Sequence, residues 1–395
     1  MSSLASRVNR IKPSPTIAVS TRAQELKASG RDIINLGSGE PDFDTPQHIK
    51  DAAITALENG QTKYTAVGGT PALKQAIVNK FQRENNLTYT SAQIIVSTGA
   101  KQALMNLLLA VLDPGDEVII PAPYWVSYPD MALLADATPV IVAADAGFKI
   151  TPAALQAAIT PKSKMVIFNS PSNPSGVLYT PDEWRAFAAV LQQAPNIIIA
   201  SDDIYEHLRY TDSDFSNILN VCPDLTNRTV LINGVSKAYA MTGWRIGYAA
   251  GDATIIKAMQ KIQSQSTSNP CSIAQAAAQA ALESGTECLG EMLHAFDRRR
   301  QLVTDGLNSI PGIHCPTIEG AFYAFADAKE AIAQAAAAGK IAAATDLALS
   351  EYLLEQAEVA VVPGSAFGCD NCFRISFATS DENLEKAIQR ISAAL

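Results

Sequence analysis

The stretch Gly234-Val-Ser-Lys-Ala-Tyr-Ala-Met-Thr-Gly-Trp-Arg-Ile-Gly247 sets a lysine and an arginine eight residues apart on a glycine-bounded connection. Residues 229–232 before it and 246–250 at its end are apolar runs with strand character, so Lys237 and Arg245 are expected on an irregular link between core elements. Links of this kind carry chemistry more often than the elements they join. A lysine held there loses its proton through desolvation and a neighbouring cation, which makes the amine a nucleophile towards an aldehyde. Arg245 supplies such a cation and a planar clamp for a phosphate.

Outward from that stretch, short apolar runs alternate with longer helical patterns. Strands are expected at 93–97, 117–121, 165–169, 196–201, 229–233 and 246–250, most of them rich in Val and Ile as doubly covered strands are. Helices are expected at 101–112 and at 181–193, the second with Thr180 as cap and Pro181 at its first position. This alternation predicts an α/β fold with parallel strands and crossover helices. After about residue 269 alanine-rich helices take over, at 273–282 and 330–344, with a strand pair near 321–325 and 373–377 that suggests a second, smaller domain. Residues 36–45, with two glycines and two prolines, are expected to cross between the two parts.

Ligands of open α/β sheets bind beyond the carboxyl ends of the strands, and those positions are polar here. Gly99-Ala100-Lys101 follows a strand and starts a helix, so its backbone amides could hold an anion, although an ordinary strand-to-helix turn fits as well. Asp202 ends the apolar run Ile197-Ile-Ile-Ala200 and needs a positive partner, such as a protonated ring nitrogen, or caps a helix over 204–208. Tyr205 is placed to bond a ring hydroxyl, and Trp125 offers a stacking face. Asn173 lies in an Asn-Pro-Ser-Gly turn. Arg374 interrupts an apolar strand, which calls for a bidentate anion: a substrate carboxylate or a structural ion pair.

Composition limits the partners. The chain has 395 residues, 48% of them hydrophobic, and a net charge of -9, enough for a large core and two domains. No basic cluster suits a nucleic acid or an anionic membrane. The apolar run 103–112 is too short to span a bilayer and residues 1–15 hold no apolar segment, so a cytoplasmic protein is expected. Six scattered cysteines read as reduced thiols, with Cys369 and Cys372 flanking a turn. The four histidines show no metal-ligand spacing, and no metal is expected. A dinucleotide-binding fingerprint is absent, which counts against a dehydrogenase.

With these residues in hand, the chain resembles the class I pyridoxal-phosphate aminotransferases of fold type I, in their bacterial aspartate aminotransferase branch. The resemblance runs over nearly the whole sequence through Gly39-Glu-Pro-Asp-Phe-Asp-Thr-Pro46, Lys63-Tyr-Thr65, Ala122-Pro-Tyr-Trp125, Asn173-Pro-Ser-Gly176, Ser236-Lys237, Met241-Thr-Gly-Trp-Arg245 and Arg374-Ile-Ser376. It implies a seven-stranded, mostly parallel sheet flanked by helices, with a smaller α+β domain. The implied division is an arm and first part of the small domain at 1–45, a large cofactor domain at 46–289 and the rest of the small domain at 290–395.

It also implies transamination of L-aspartate with 2-oxoglutarate by a ping-pong mechanism on pyridoxal 5'-phosphate, with prephenate or aromatic amino acids as alternative substrates. Lys237 would bind the cofactor's aldehyde and move the substrate's α-proton, and Asp202 would pair with the ring nitrogen. Asn173 and Tyr205 would bind the ring hydroxyl, Trp125 would stack, and Gly99, Ala100, Lys101 and Arg245 would surround the phosphate. Tyr64 would reach the cofactor of a second subunit, which implies a homodimer with shared sites. Arg374 would take the α-carboxylate under the backbone of Gly39.

Two departures follow. The serine that many relatives carry three residues before the lysine is Gly234, which leaves Ser236 as its candidate replacement. Residues 264–270 contain no arginine for a distal carboxylate, which shifts that role to Lys101, with Thr16, Ser14 and Lys12 of the leading segment beside it.

Overall fold

The computed structural model describes residues 4–395. A short strand, β1 (Ile34–Asn35), precedes the central sheet. The sheet contains β2 (Ile94–Ser97), β3 (Glu117–Pro121), β4 (Thr138–Val142), β5 (Ser163–Asn169), β6 (Ile198–Asp202), β7 (Thr229–Gly234) and β8 (Gly247–Ala250), in the order β2-β8-β7-β6-β5-β3-β4. All six expected strands form within a few residues of their predicted limits. The seventh, β4, lies at the edge, contains Pro139 and has a half-exposed pattern. It therefore has neither a Val-Ile run buried on both faces nor a full set of donors, and proline is tolerated there because only one neighbour needs pairing.

Only β8 runs against the others. It is antiparallel to both β2 and β7, with Gly247 opposite Ser97 on one side and Gly234 on the other. Reversal brings the start of β8 to the edge where β2, β6 and β7 end. Arg245, just before β8, is thereby delivered beside Gly99 after β2 and the turn carrying Lys237 after β7.

The helices cover the sheet for reasons visible in their sequences. Helix Ala100–Val111 buries Ala103, Leu104, Leu107 and Leu108 along one stripe. Helix Pro181–Gln192 starts at the expected cap, where Thr180 and Glu183 form a reciprocal capping box. It buries Trp184, Phe187, Ala188 and Leu191, each contributing about 1.5–3 kcal/mol of transfer free energy where a large side chain is fully covered. Two expectations fail. Residues 204–208 form turns rather than a helix, and the helix expected over 330–344 ends at Ala337 because Gly339, at φ +70°, turns the chain into the left-handed region.

The C-terminal part adds β9 (Tyr323–Asp327), β10 (Val359–Ala360), β11 (Val362–Pro363) and β12 (Cys372–Ser376). Strands β11, β12 and β9 form an antiparallel sheet in which Arg374 faces Phe325. Strand β10 pairs in parallel with β1, so the N-terminal segment shares the core of Phe322, Phe373 and Phe377 through Ile34 and Leu36. Residues 36–45 do cross between the two parts. Gly37 accepts a hydrogen bond from Arg374 at 2.9 Å, while the Thr45 hydroxyl donates to Ala240 O at 2.7 Å.

The β8 junction is closely packed. A Cβ added at Gly247 would lie 2.1 Å from Ala100 N, whereas one added at Gly243 meets nothing within 4 Å. Gly247→Ala is expected to lower stability by about 1–3 kcal/mol in urea unfolding, as overpacking against backbone does. Gly243→Ala should remain within about 0.5 kcal/mol of the parent.

Candidate active site

The polar strand ends converge on one cavity of about 520 Å³. Its wall includes Gly39, Ala100, Lys101, Trp125, Asn173, Asp202, Tyr205, Ser236, Lys237, Arg245 and Arg374, contributed by both sheets and by the crossing segment. Ser14 and Thr16 of the leading helix line it too, their hydroxyls 3.0 Å apart. Lys12 does not; it is exposed, and its backbone N–H donates to Asp130 at 3.2 Å. Tyr64 lies away from the cavity of its own chain and is 92% exposed.

Lys237 occupies the turn after β7, part-buried, with Nζ donating to Gly39 O at 2.5 Å. Burial, reinforced by the Arg374 and Arg245 guanidiniums, lowers its pKa to about 8 against the opposing pull of Glu40 and Asp202. A substantial fraction of the amine is therefore neutral near physiological pH. Asp202, the last residue of β6, is buried and accepts from the Tyr128 hydroxyl at 2.7 Å. Burial raises its carboxyl to about 6, although Tyr128, the Ile204 N–H and Lys237 oppose the shift.

Tyr205 is buried with its hydroxyl 3.0 Å from that of Tyr323. Burial raises both phenols, so each remains protonated and able to donate. Arg374 is buried, and its named partners are uncharged: Asn173 Oδ1 at 2.9 Å and Gly37 O at 2.9 Å. Its Nε has no hydrogen-bond partner, and its guanidinium lies 4.4 Å from the Tyr323 ring centre. Among the described residues no carboxylate pairs with it, which removes the structural ion pair suggested by sequence and leaves a buried cation suited to an anionic ligand.

The opposite end of the wall is also cationic. Gly99 adopts φ +86°, and a Cβ there would lie 2.3 Å from Arg245 Nη2, so glycine lets the guanidinium approach the first turn of helix Ala100–Val111. Lys101 Nζ lies 4.8 Å from the centre of the Trp125 ring, and Trp125 meets Tyr128 edge-on at 5.3 Å. At Gly234 a Cβ would be 3.0 Å from Ile246 O, so a serine there would crowd the β7–β8 pairing. Ser236, by contrast, is on the cavity wall. Sequence reasoning missed Tyr128 and Tyr323. Tyr128 stands three residues after Trp125, at the start of helix Ser127–Leu134, a spacing that places both on one side of that turn.

These features fit a phosphorylated pyridine aldehyde: an amine of lowered pKa, a buried carboxyl, an indole face, and an arginine beside a helix start. The chain belongs to the family of class I and II aminotransferases, whose model matches residues 31–391. It is 59% identical to the aspartate/prephenate aminotransferase of Nitrosomonas europaea over 99% of each chain. It is 57% identical to the enzyme of that name from Cereibacter sphaeroides, over 100% of this chain and 98% of the relative. The crystal structure of the aspartate aminotransferase from Rhizobium meliloti superposes with a TM-score of 0.95 at 50% identity, over 100% of this chain and 99% of the other. The Thermus thermophilus aspartate aminotransferase with maleate gives 0.92 at 44% identity, over 100% of both chains.

Two pH effects follow. Trapping of Lys237 by an aldehyde and borohydride, read by peptide mass spectrometry, should rise with a midpoint near pH 8, against about 10.4 for exposed lysines. Arg374→Met should move that midpoint upward by removing a repelling cation. For Asp202 the folded value exceeds the unfolded one, so its protonated form stabilises the fold at low pH. That contribution is lost as the pH rises through about 6, and Asp202→Asn should flatten this part of the stability curve of the cofactor-free chain.

Proposed function

We propose that this aminotransferase transfers the amino group of L-aspartate to 2-oxoglutarate with pyridoxal 5'-phosphate as cofactor, giving oxaloacetate and L-glutamate by a ping-pong mechanism. The observation that carries this reading is the meeting of Lys237, Asp202 and the uncompensated Arg374 on one cavity. When bound, the cofactor supplies an aldehyde for the lysine and an electron sink that makes an amino acid's α-proton removable.

The chain's own groups divide the remaining work. Asp202, bonded by the Tyr128 hydroxyl, would pair with the ring nitrogen and favour its protonated form. Asn173 and Tyr205 would bond the ring hydroxyl, and Trp125 would stack on the ring. Arg245 and the amides at Gly99 and Ala100 would hold the phosphate, with Ser236 supplying the hydroxyl absent at Gly234. Lys237 Nζ would take up the substrate's α-proton and give a proton back during transfer of the amino group. Arg374 binds the α-carboxylate, and the backbone at Gly39 closes over it.

Lys101, aided by Thr16 and Ser14, is assigned to the distal carboxylate, and the maleate carried by the Thermus relative supports a four-carbon dicarboxylate. A second reading adds prephenate. Relatives above 50% identity carry that name, and Ser14, Thr16 and Ile17 of the N-terminal segment form part of the wall. Lys12 would serve such a substrate only after movement of that segment.

The exposed Tyr64 supports a homodimer in which it reaches the partner subunit's phosphate. The division into 1–45, 46–289 and 290–395 is proposed as the basis for closure of the small domain over the substrate. A cytoplasmic location is part of the same reading, supported by six free cysteines. No described helix is long and apolar enough to cross a membrane.

Lys237→Ala is expected to abolish aspartate turnover and the visible absorbance of the loaded protein. Normal activity would refute the assignment. Lys101→Met should lower kcat/KM for aspartate by about 10- to 100-fold, as loss of a charge-assisted hydrogen bond does, and leave phenylalanine nearly unaffected. A substrate panel of aspartate, prephenate, phenylalanine and alanine tests both readings.

A further inference from the structure

Behind the cavity lies a buried polar cluster that the reaction does not use. Glu206 follows Tyr205 directly and is 3% exposed. One of its oxygens accepts from Lys80 Nζ and, at 2.7 Å, from Asn233 Nδ2; the other accepts from Asn85 Nδ2 at 2.7 Å. Lys80 is fully buried and donates also to Asn85 Oδ1 at 2.7 Å. His207 Nε2 lies 2.9 Å from Glu84 Oε2, on the same helix, Pro71–Asn85. Glu84, Glu206 and His207 are close enough to hold a metal ion. Lys80 Nζ, paired with Glu206 and 3.7 Å from Glu84, already takes the place of such a cation.

We propose that the Lys80–Glu206 pair is a positioning device for transamination: it ties the segment bearing Asp202 and Tyr205, and the strand end leading to Lys237, to a single helix. The proposal rests on the transaminase reading above. Asp202 is held by the β6 ladder, but residues 203–208 form neither helix nor strand, so something other than regular backbone pairing must fix where Tyr205 stands. Glu206 does so with directed bonds in two directions, to helix Pro71–Asn85 and to Asn233 at the end of β7, four residues before Lys237. Stability alone does not explain the pair, because buried ion pairs are commonly replaced by apolar groups at no cost. An apolar pair fills the same volume but does not set the register of a turn against a strand. Burial disfavours the Glu206 carboxylate, yet Lys80 and His207 outweigh it and hold the group below the usual carboxylate range, so Glu206 stays an acceptor for its three donors.

The test compares the cofactor-loaded parent with Lys80→Met, Glu206→Gln and the double variant K80M/E206L, which leaves no orphan charge and guards against simple misfolding. In each, kcat for aspartate is expected to fall roughly 10- to 100-fold, the cost of misplacing reacting groups by about 1 Å, with KM nearly unchanged because Arg374 and Lys101 are not tethered by the pair. The pH midpoint of the bound cofactor's visible absorbance should shift by about half a unit or more, because Tyr205 and Lys237 no longer face it as before. A double variant with the parent's kcat and midpoint, whatever its melting temperature, would overturn this proposal alone. A parent with no visible band after loading would overturn the transaminase reading and this one with it.

Discussion

Because Gly247 has no side chain, the start of β8 rests on the first turn of helix Ala100–Val111, where an added Cβ would be 2.1 Å from Ala100 N. The antiparallel insertion of β8 between β2 and β7 depends on that approach. In a uniformly parallel sheet, Arg245 would lie at the far edge, away from the ends of β6 and β7. Reversal puts it instead beside Gly99, whose own positive φ keeps the space for its guanidinium. Two glycines thus convert an edge of backbone termini into a cationic floor, and the turn between Gly234 and Gly247 has to present Lys237 above it.

The cavity is assembled from charges that the fold alone does not neutralise. Arg374 and Arg245 both repel the Lys237 ammonium, and burial disfavours the charged forms of Lys237 and Arg374 further. Asp202 is likewise disfavoured as a carboxylate, with Tyr128 its one side-chain donor among the described residues. Such an arrangement costs stability in the empty chain and is recovered when a ligand brings a phosphate, a ring cation and a carboxylate to the matching positions. The contrast with Lys80 and Glu206 is instructive. They are buried as deeply but satisfied within the chain, and what is satisfied internally has no call on a ligand.

Much of this was legible in the sequence, for a physical reason. Doubly covered strands are largely apolar, so a polar residue at the end of one or just past it, as Asp202 and Lys237 are, marks the edge where a ligand binds. The direction of β8 was not legible, since an apolar run of five has no polarity of its own, and β4 was hidden by exposure and Pro139. Tyr128 and Tyr323 were missed because a buried tyrosine has the same pattern as a core aromatic until its hydroxyl partner is known. Lys12 shows the converse. A lysine in the leading segment suits the chemistry, but its backbone is tied to Asp130 and its side chain points to solvent.

The two cations assigned to the substrate differ in kind, and that difference bears on selectivity. Arg374 is planar, buried between the Tyr323 and Phe367 rings, and aligned by two neutral acceptors. It can offer a carboxylate one geometry, which suits the group common to every amino acid. Lys101 stands exposed on the first turn of its helix, above the Trp125 ring, on a stem with four rotatable bonds. A point charge on a flexible stem follows a carboxylate through a range of positions. Rigid recognition at the α-carbon combined with compliant recognition at the far end is what an enzyme needs to accept acids of different length while holding the reacting carbon still.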